Sequence, residues 1–431
     1  MTSEPLQASR GTRDIWGREI LLWQYLEQQA RDILGRANYQ EIRTPIFEAT
    51  ELFSRGIGEG TDIVSKEMYT FTDRGERSLT LRPEGTAGVV RSLIEHKRLN
   101  QGVQRCWYLG AMFRYERPQA GRQRQFHQLG VEVFGSADPR ADVEVMALAW
   151  EFLQALNLRG LTLELNSVGD PADRQRYKAA LVEYLTPYAQ ELDPDSQVRL
   201  TKNPLRILDS KHPATQKILT TAPQLPQYLG TASQAHFEQV QAGLTALGLT
   251  YRLNPRLVRG LDYYTRTAFE ITTTDLGAQA AVGGGGRYDG LVQELGGSPT
   301  PAVGWAMGLE RLVVLLEKQG EIPTPSVDFT IVAQGEGTGI LSLQISQMLR
   351  QQGFRVETDL SNSALGKQIK RADKLGSRAC VIVGETEVAT RIIPVKWLAT
   401  GAQEGVEFPD GFKNPEWWRQ KLAEPPRPEA P

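Results

Sequence analysis

The sequence is poor in cysteine, and it contains no long apolar run. Only two cysteines occur, Cys106 and Cys380, and each lies among apolar, strand-like residues in RCWYLG and RACVIVG. Two distant cysteines of this kind indicate buried free thiols in a reducing compartment. No run reaches the roughly 18 apolar residues of a membrane helix, and the first residues, MTSEPLQASRGTRD, lack the apolar centre of a secretory signal. We therefore expect a cytoplasmic protein with no membrane segment.

Familiar nucleotide-binding and metal-binding patterns are also missing. The glycine run GGGGRYDG has neither the GxxxxGK[ST] spacing of a P-loop nor the GxGxxG spacing of a dinucleotide fold. The 4 histidines are dispersed and no cluster has metal-ligand spacing, so we predict no metal site built from protein side chains. The net charge is −2, so any RNA partner must be held by local basic patches.

Length and changes in composition predict more than one domain. A chain of 431 residues exceeds one ordinary core. Residues 1–322 mix strand and helix patterns, and helical periodicity dominates residues 171–247, as expected of an insertion. After the linker-like GEIPTPSVD, residues 327–420 alternate strand and helix, which predicts a small α/β domain with a largely parallel sheet. We expect residues 421–431 to form a disordered tail.

The stretch FRYERPQAGRQRQFHQLGVEVFG (113–135) mixes charged and aromatic side chains around a Pro-to-Gly turn. Strand character from 107 to 116 and from 124 to 134, with RPQAGRQ between them, predicts an antiparallel hairpin. A solvated hairpin would not normally carry Tyr115 and Phe126 among its charges unless one face were buried. We therefore interpret the hairpin as one wall of a pocket.

The returning strand of this hairpin carries a candidate ligand site. With a period of two, Gln128 and Glu132 point to the same face, and Gly130 leaves open space between them. Such a pair suits a small polar ligand with N–H donors, because the carboxylate accepts and the amide can do either. The alternative is an exposed sheet face with surface ion pairs. His127 lies on the opposite face, where packing is the expected role.

Three further clusters favour the pocket. TLRPEGTAGVVRS places Arg82, Glu84 and Thr86 where a strand runs into a helix. RGLDYYTRTAFEI places Arg259, Tyr263 and Tyr264 in another strand. AMGLERLVVLL places Arg311 in the first turns of an apolar helix, where acidic residues are commoner. An anion in front of that helix would explain the arginine. The alternative is an ion pair with Glu310 or with a neighbouring strand.

Taken together, these segments resemble the histidyl-tRNA synthetase family of class II aminoacyl-tRNA synthetases. The hairpin is similar to motif 2 of the class, AVGWAMGLERL to motif 3, and RTPIFEATELF to motif 1, which packs across the dimer interface. RGLDYYTRTAFE, GGGGRYDGLV and TLRPEGT resemble the family's signature segments. The resemblance covers residues 10 to 400, approximately. It implies a homodimer with an α+β catalytic core built on an antiparallel sheet, a helical insertion and a C-terminal α/β anticodon-binding domain.

The resemblance implies that L-histidine is activated with ATP and then transferred to tRNA(His). Positioning and charge neutralisation should supply most of the acceleration. By motif position, the catalytic residues are Arg114 and Arg259, which hold the α-phosphate, while Arg311 meets the γ-phosphate. Phe126 would stack on adenine and Glu116 would accept from its amino group. Mg²⁺ is implied for the pyrophosphate.

The same resemblance carries over a histidine-binding set. Glu132 and Tyr264 are placed at the imidazole, and Glu84, Thr86 and Gln128 at the amino end. The remaining members are Gly85, Arg114, Arg259 and Tyr263. A buried carboxylate facing an imidazole N–H is left unpaired by most competitors, so editing is unnecessary.

Two basic features would contact tRNA in this family. Arg122, in the hairpin turn, is placed for phosphate or the tRNA end. In KQIKRADKLG, a stripe with spacing i, i+3, i+4, i+7 consists of Lys367, Lys370, Arg371 and Lys374. A solvated surface is the usual explanation of such a stripe, whereas an anticodon-binding domain favours phosphate contacts. The insertion is expected to clamp the acceptor arm.

Three alternative functions agree less well with the sequence. A non-aminoacylating regulatory subunit of ATP phosphoribosyltransferase resembles this family but usually lacks the second domain and blurs RGLDYY, and both are present here. A class II synthetase for another amino acid would not be expected to carry Glu132 with RGLDYY. A purely RNA-binding role would not require Arg114, Arg259 and Arg311 together.

Overall fold

The computed structural model describes residues 6–58, 61–119, 121–258, 261, 263–276, 281–319 and 326–426. The chain divides into two compact units, Met1–Ile322 and Pro323–Pro431. Arg259, predicted to be catalytic, lies outside the described residues.

The first unit is built on an eight-stranded sheet in the order β1-β5-β6-β11-β10-β9-β7-β8, beside a three-stranded sheet in the order β2-β4-β3. Its strands are β1 (Gln40–Glu41), β2 (Phe47–Ala49), β3 (Tyr69–Thr72), β4 (Ser78–Leu81), β5 (Gln104–Phe113), β6 (Gln125–Phe134), β7 (Leu161–Ser167), β8 (Tyr251–Leu253), β9 (Thr265–Thr273), β10 (Ala281–Arg287) and β11 (Ala302–Gly308). Pairing from β5 through β7 is antiparallel, and β1 and β8 add parallel edges. The predicted antiparallel core is confirmed.

The helices of this unit cover the sheet and form the insertion. They are α1 (Arg18–Arg36), α2 (Thr50–Ile57), α3 (Thr86–Glu95), α4 (Pro139–Ala155), α5 (Pro171–Leu185), α6 (Pro194–Lys202), α7 (Pro213–Leu219), α8 (Thr231–Ala246), α9 (Leu291–Glu294) and α10 (Leu309–Gln319). Short helices cover Ile63–Glu67, Arg98–Gln101, Thr186–Tyr188, Pro204–Asp209, Leu225–Tyr228 and Thr274–Leu276. The insertion is helical, as its periodicity predicts.

One face of the large sheet packs against α1, α4 and α10. Within each helix the buried residues recur at helical spacing, and they include Leu26 of α1 and Leu312 of α10. From β6, Val131 and Val133 enter the same core. Since strand side chains alternate, the intervening residues of β6 point to the opposite face. That opposite face carries the candidate site.

The hairpin of β5 and β6 has the predicted antiparallel pairing, with Gly110 opposite Gln128 and Tyr108 opposite Gly130. The space over Gly130 is not open, contrary to the prediction. A Cβ on Gly130 would lie 2.1 Å from the Tyr108 ring, so the phenol fills the gap. Sequence periodicity placed Gly130 on the right face but could not show which neighbouring side chain covers it.

Tyr263 and Tyr264 do not lie in a strand, contrary to the prediction. β9 begins at Thr265, so both tyrosines belong to the segment that leads into it. The glycine run itself lies in β10, whose pairing with β9 shifts register at both ends of the run, and its backbone approaches β11 closely. A Cβ on Gly285 would lie 1.9 Å from the Gly304 carbonyl oxygen, which explains the glycine.

The second unit is an α/β domain with a five-stranded sheet in the order β13-β12-β14-β15-β16. Its elements are β12 (Phe329–Ala333), α11 (Thr338–Gln351), β13 (Val356–Thr358), α12 (Leu365–Lys374), β14 (Ala379–Val383), α13 (Glu385–Thr390), β15 (Ile392–Trp397), β16 (Gln403–Glu407), a short helix Asp410–Lys413 and α14 (Pro415–Ala423). The first three strands are parallel, as predicted, and β15 and β16 add antiparallel pairs.

The prediction placed the start of a disordered tail, residue 421, too early in the chain. α14 continues through Ala423, and Leu422 is only 5% exposed. In the same helix Trp418 is 0% exposed and packs on Phe329 and Phe412, with ring centroids 5.1 and 5.2 Å away. The C-terminal segment therefore completes the core of this unit. Residues 427–431 lie outside the described part.

Both cysteines are buried and unpaired, as predicted. Burial raises the pKa of Cys380 to about 11, so this thiol stays protonated at neutral pH. Among the described residues, no helix combines the length and apolar character needed to cross a bilayer.

We expect Trp418→Ala to destabilise the second unit by about 3–5 kcal/mol, because it removes a fully buried aromatic side chain and leaves a cavity. Calorimetric unfolding of the full chain would measure the effect. Trp16→Ala is the control, since Trp16 is 80% exposed. Equal transitions in the two variants would contradict the packing role of the C-terminal helix.

Candidate active site

A cavity of about 340 Å³ opens on the face of the large sheet opposite the helical core. Eleven of the predicted site residues line it: Glu84, Thr86, Arg114, Glu116, Arg122, Phe126, Gln128, Glu132, Tyr263, Tyr264 and Arg311. They come from the start of α3, the hairpin, the segment before β9 and the first turn of α10. The tertiary structure thus brings four separate segments to one site.

Glu132 is the most buried of the described carboxyl groups that line the cavity, at only 1% exposed. Its carboxyl accepts hydrogen bonds from Thr86 Oγ1 at 2.7 Å and from the Tyr288 hydroxyl. Burial raises the pKa of Glu132 to about 8, although these two hydroxyls act to lower it. Gly304, opposite Glu132 on β11, makes room for the group, because a Cβ there would lie 1.8 Å from Glu132 Oε2.

Three tyrosines cluster in the same cavity wall as Glu132. The ring centroids of Tyr263 and Tyr264 are 4.8 Å apart, and Tyr288 lies 5.4 Å from the first and 6.4 Å from the second. Each is less than one-tenth exposed. Tyr288 was not predicted as a site residue, although it lies within the quoted signature segment GGGGRYDG. Its hydroxyl contact with Glu132 depends on the pairing of distant strands, which the sequence does not display.

Glu84 and Gly85 have local structural roles. The Glu84 carboxylate accepts from the backbone N–H groups of Thr86 at 2.6 Å and Ala87 at 2.9 Å, and so caps α3. Burial raises its pKa. Gly85 does not line the cavity; a Cβ there would lie 2.2 Å from the Tyr108 ring. Tyr108 therefore requires glycine at both Gly85 and Gly130.

Gln128 lies on the same face of β6 as Glu132. Its Oε1 atom is buried and accepts no hydrogen bond from any residue that the structure describes. A buried acceptor without a partner is costly, so a ligand donor at this position would be favourable.

Arginines dominate the other end of the cavity. Arg114 donates from Nε to the Pro83 carbonyl at 2.9 Å, and its guanidinium carbon lies 5.2 Å from the Phe126 ring centroid. Arg311 donates to the Ala281 carbonyl. Burial, and then the charge of Arg122, lower the pKa of Arg311. A partly desolvated cluster of like charges is a site prepared for an anion.

Glu310 is not the partner that the alternative explanation of Arg311 requires. Its carboxylate accepts from the His127 backbone N–H at 2.9 Å and contacts His127 Nδ1 at 3.0 Å. His127 also packs edge-on against Trp23, with centroids 4.8 Å apart. His127 is therefore a packed residue, as predicted.

Glu116 lies at the mouth of the hairpin turn, just beyond β5. Its carboxylate contacts Arg122 Nε at 2.6 Å and Arg114 Nη1 at 3.9 Å. Arg122 remains 44% exposed and could exchange this partner for a ligand phosphate. Glu270 of β9 also lines the cavity. It was not predicted, because nothing in TRTAFEI distinguishes it from a surface carboxylate.

In the second unit, the basic stripe falls on α12 as predicted. Lys367, Lys370 and Lys374 are exposed. Arg371 differs from them, because its guanidinium donates to Asp359 at 2.9 Å and to Ser363 at 2.6 Å. Among the four predicted tRNA contacts on this helix, Arg371 is thus held by the protein itself.

Glu132→Gln should remove a pH-dependent loss of stability. A carboxyl whose pKa is raised by folding stabilises the fold below its unfolded pKa, and this contribution is lost as pH rises through its folded pKa of about 8. Between pH 6 and 8 the wild type should lose about 2 kcal/mol more than the variant. Thermal unfolding of both proteins across this range measures the difference. Parallel Tm curves would show that Glu132 is not proton-bound when buried.

The chain is similar in sequence and in fold to known proteins. The protein-family model for histidyl-tRNA synthetase matches residues 11–312, and that for the anticodon binding domain matches residues 330–413. Histidine–tRNA ligases of Picosynechococcus sp. and Cyanothece sp. are 63% and 64% identical, covering 97% of this chain and 98% of each relative. The crystal structure of apo S. aureus histidyl-tRNA synthetase is 39% identical with a TM-score of 0.80, covering 96% of this chain and 100% of that one. The chain belongs to the histidyl-tRNA synthetase family.

Proposed function

We propose that this protein attaches L-histidine to tRNA(His) through a histidyl-adenylate, releasing pyrophosphate and AMP. The observation that carries the proposal is the polarity of one cavity, with a buried carboxyl at its deep end and an arginine cluster at the other. A substrate with an imidazole at one end and a phosphate-bearing co-substrate at the other matches this arrangement. Relatives named histidine–tRNA ligase support the same conclusion.

In the first step, an oxygen of the histidine carboxylate attacks the α-phosphorus of ATP. A carboxyl–phosphorus bond forms and the bond from the α-phosphorus to the bridging oxygen breaks, so pyrophosphate leaves. Arg114 and Arg259 neutralise the α-phosphate, and Arg311 holds the γ-phosphate. Phe126 stacks on adenine, and Glu116 accepts from its amino group. Positioning and fixed positive charge lower the barrier, with no covalent help from the protein.

Histidine selection depends on hydrogen bonds that a competitor cannot make. The Glu132 carboxyl can donate to an imidazole nitrogen when protonated, or accept from an imidazole N–H when ionised. Tyr264 closes the imidazole site. Glu84, Thr86 and Tyr263 surround the substrate, Gly85 leaves room for the Tyr108 ring beside them, and Gln128 Oε1 accepts from the α-ammonium group. A site built on hydrogen bonds rejects substrates without these groups by roughly 10⁴-fold or more.

In the second step, the terminal ribose hydroxyl of tRNA(His) attacks the activated carbonyl carbon. An ester bond forms, the bond from that carbon to the phosphate oxygen breaks, and AMP leaves while the hydroxyl proton is released. Arg122 contacts phosphate near the tRNA end. The helical insertion clamps the acceptor arm, and the exposed lysines of α12 contact phosphates near the anticodon. Exposed lysines on one helix face support the last assignment, whereas the intramolecular contacts of Arg371 suggest that it positions the adjacent loop.

Mg²⁺ is implied for the pyrophosphate. Among the described residues, no group of three or more His, Cys, Asp or Glu side chains could hold a metal by itself. Mg²⁺ usually binds through one or two carboxylates together with substrate phosphates. Glu270 fits this requirement, because it lines the cavity within electrostatic reach of Arg311. When bound, the ion would neutralise charge on the leaving pyrophosphate.

A homodimer is the proposed assembly. The three-stranded sheet next to the site exposes apolar side chains: Ile46, Phe47 and Phe71 are 49%, 52% and 43% exposed. Ile46 and Phe47 belong to the segment that resembles motif 1, and the Phe71 ring packs edge-on against Phe47, with centroids 6.4 Å apart, so a second copy of this chain would cover all three. Two buried free thiols support a reducing compartment, and we propose the cytoplasm.

The regulatory-subunit alternative is not favoured. Its expected hallmark is a missing anticodon-binding domain, and that domain is matched here over residues 330–413. The relatives that cover nearly the whole chain at 63% and 64% identity are named as ligases.

ATP–pyrophosphate exchange by the purified protein tests the proposal, because it isolates the first step from tRNA. We expect exchange with histidine and none with the other amino acids. Arg259→Ala should reduce the exchange rate by at least about 10²-fold, in line with the loss of one charge-stabilising donor, while circular dichroism stays unchanged. Exchange with no amino acid would favour the regulatory subunit. Exchange with a different amino acid would refute the role of Glu132.

Replacing Lys367, Lys370 and Lys374 by alanine should weaken tRNA binding and flatten its salt dependence. Each lost phosphate contact reduces the slope of log K against log salt by about 0.7 for a single-stranded target. Fluorescence titration with tRNA(His) at several salt concentrations would measure the slope. Lys413→Ala, at an exposed lysine paired with Asp410, is the control. An unchanged slope in the triple variant would mean that the stripe is only a solvated surface.

A further inference from the structure

A fully buried ion pair lies behind the histidine pocket. Arg287, the last residue of β10, and Asp142, in the first turns of α4, are both 0% exposed. The guanidinium meets the carboxylate through two bonds, from Nε to Oδ1 at 3.2 Å and from Nη2 to Oδ2. A buried pair of this kind is weak evidence for stability, because desolvation offsets much of the attraction. Its geometry therefore points to another role.

All five N–H donors of Arg287 have acceptors. Besides the two bonds to Asp142, Nη1 donates to the Ser136 carbonyl at 2.8 Å and to Asp289 Oδ1 at 3.2 Å, and Nη2 donates to the Asp138 carbonyl at 3.4 Å. A lysine has three donors and no planar fork, so it cannot reproduce this set. The guanidinium is therefore fixed in position and orientation.

This fixed group holds the residues on both sides of Tyr288. Arg287 precedes Tyr288, and Asp289, which follows it, accepts from Arg287 and from the Ala302 backbone N–H at 3.0 Å. The Asp289 backbone N–H donates to Thr265 Oγ1 at 3.2 Å, directly after Tyr264. The segment RYD is thus held at both ends, with the Tyr288 hydroxyl directed at Glu132.

The insertion contributes to the same cluster. His236, on α8, is 5% exposed, and its Nε2 lies 3.3 Å from Asp142 Oδ1. Asp142 is therefore shared between the turn that carries Tyr288 and the last helix of the insertion.

We propose that the Arg287–Asp142 pair is a positioning device that fixes the Tyr288 hydroxyl on Glu132 and thereby sets the affinity for the imidazole. Neither residue of the pair lines the cavity, so both act through Tyr288. This inference rests on the proposed function, since it assigns the imidazole to Glu132. Loss of the pair lets Tyr288 swing away and leaves one carboxyl oxygen without its donor.

The test compares Arg287→Lys with the wild type in ATP–pyrophosphate exchange. We expect the KM for histidine to rise about tenfold, while kcat and the KM for ATP change less than twofold. In a Tyr288→Phe background, which already lacks the hydroxyl, the further effect of Arg287→Lys on the histidine KM should fall below twofold. Asp173→Asn is the matched control, because Asp173 is also buried and paired with an arginine, Arg176, but has no contact with Tyr288. It should leave the histidine KM unchanged.

A histidine KM that is unchanged, or that rises equally in both backgrounds, would overturn the proposal, as would an equal rise in Asp173→Asn. If Arg287→Lys does not fold, Asp289→Asn can replace it, because it keeps the Arg287–Asp142 pair and weakens only the bond between Arg287 and Asp289. We then expect a smaller selective rise in the histidine KM. An unchanged histidine KM in Asp289→Asn would contradict the proposal.

A second measurement separates this inference from the proposed function. The Tyr288 hydrogen bond lowers the Glu132 pKa, so Arg287→Lys should move the pH-dependent fall in Tm to higher pH by a measurable fraction of a unit. Absence of exchange in the wild type would refute the proposed function alone. An unmoved Tm titration would refute the positioning role, whatever the exchange assay gives.

Discussion

The burial of one carboxyl group is the constraint on which the site depends. Removing Glu132 from water favours its protonated form so strongly that two donated hydroxyl bonds do not restore an ordinary pKa. The surrounding structure is arranged to tolerate this cost. Gly304 leaves room for the carboxyl, Thr86 at the start of α3 supplies one donor, and Tyr288 after β10 supplies the other. A buried group of this kind distinguishes ligands by their hydrogen bonds, because a ligand that offers none leaves it unsatisfied.

The side chains that β6 contributes to the cavity differ along the length of the strand. β6 presents Glu132 and Gln128 at the deep end and Phe126 nearer the hairpin turn, where Arg114 and Arg122 gather. The other face of the same strand packs Val131 and Val133 into the helical core. Because strand side chains alternate, a single segment anchors the core and carries the site, and the rigidity of the core is transmitted to the polar groups. This arrangement suits a reaction in which positioning and charge neutralisation replace covalent catalysis.

The arginines of this protein fall into two classes that look alike in the sequence. Arg114, Arg122 and Arg311 line the cavity, where burial, and then the charge of Arg122, lower the pKa of Arg311. Arg287 and Arg82 do not line the cavity, and their guanidinium groups hydrogen-bond to other groups of the protein. Arg82 donates to the Ala111 carbonyl at 2.8 Å and the Thr44 carbonyl at 3.0 Å, and it fixes the strand that leads to α3. Which class an arginine joins depends on whether its guanidinium reaches the cavity in three dimensions, because Arg114 and Arg311 also donate to carbonyl oxygens, and residue type does not reveal this.

The sequence by itself determined the features that arise from local periodicity and motif spacing: the β5–β6 hairpin, the helical insertion, the α/β second domain and the face shared by Gln128 and Glu132. These follow because strand and helix periods put chosen residues on one face whatever the distant partners are. Only the tertiary structure decided that Tyr108 fills the space over Gly130, that Tyr288 reaches Glu132, and that Trp418 closes the core of the second unit. Each of these contacts joins segments far apart in the chain, where no local pattern records which side chain will occupy the shared space.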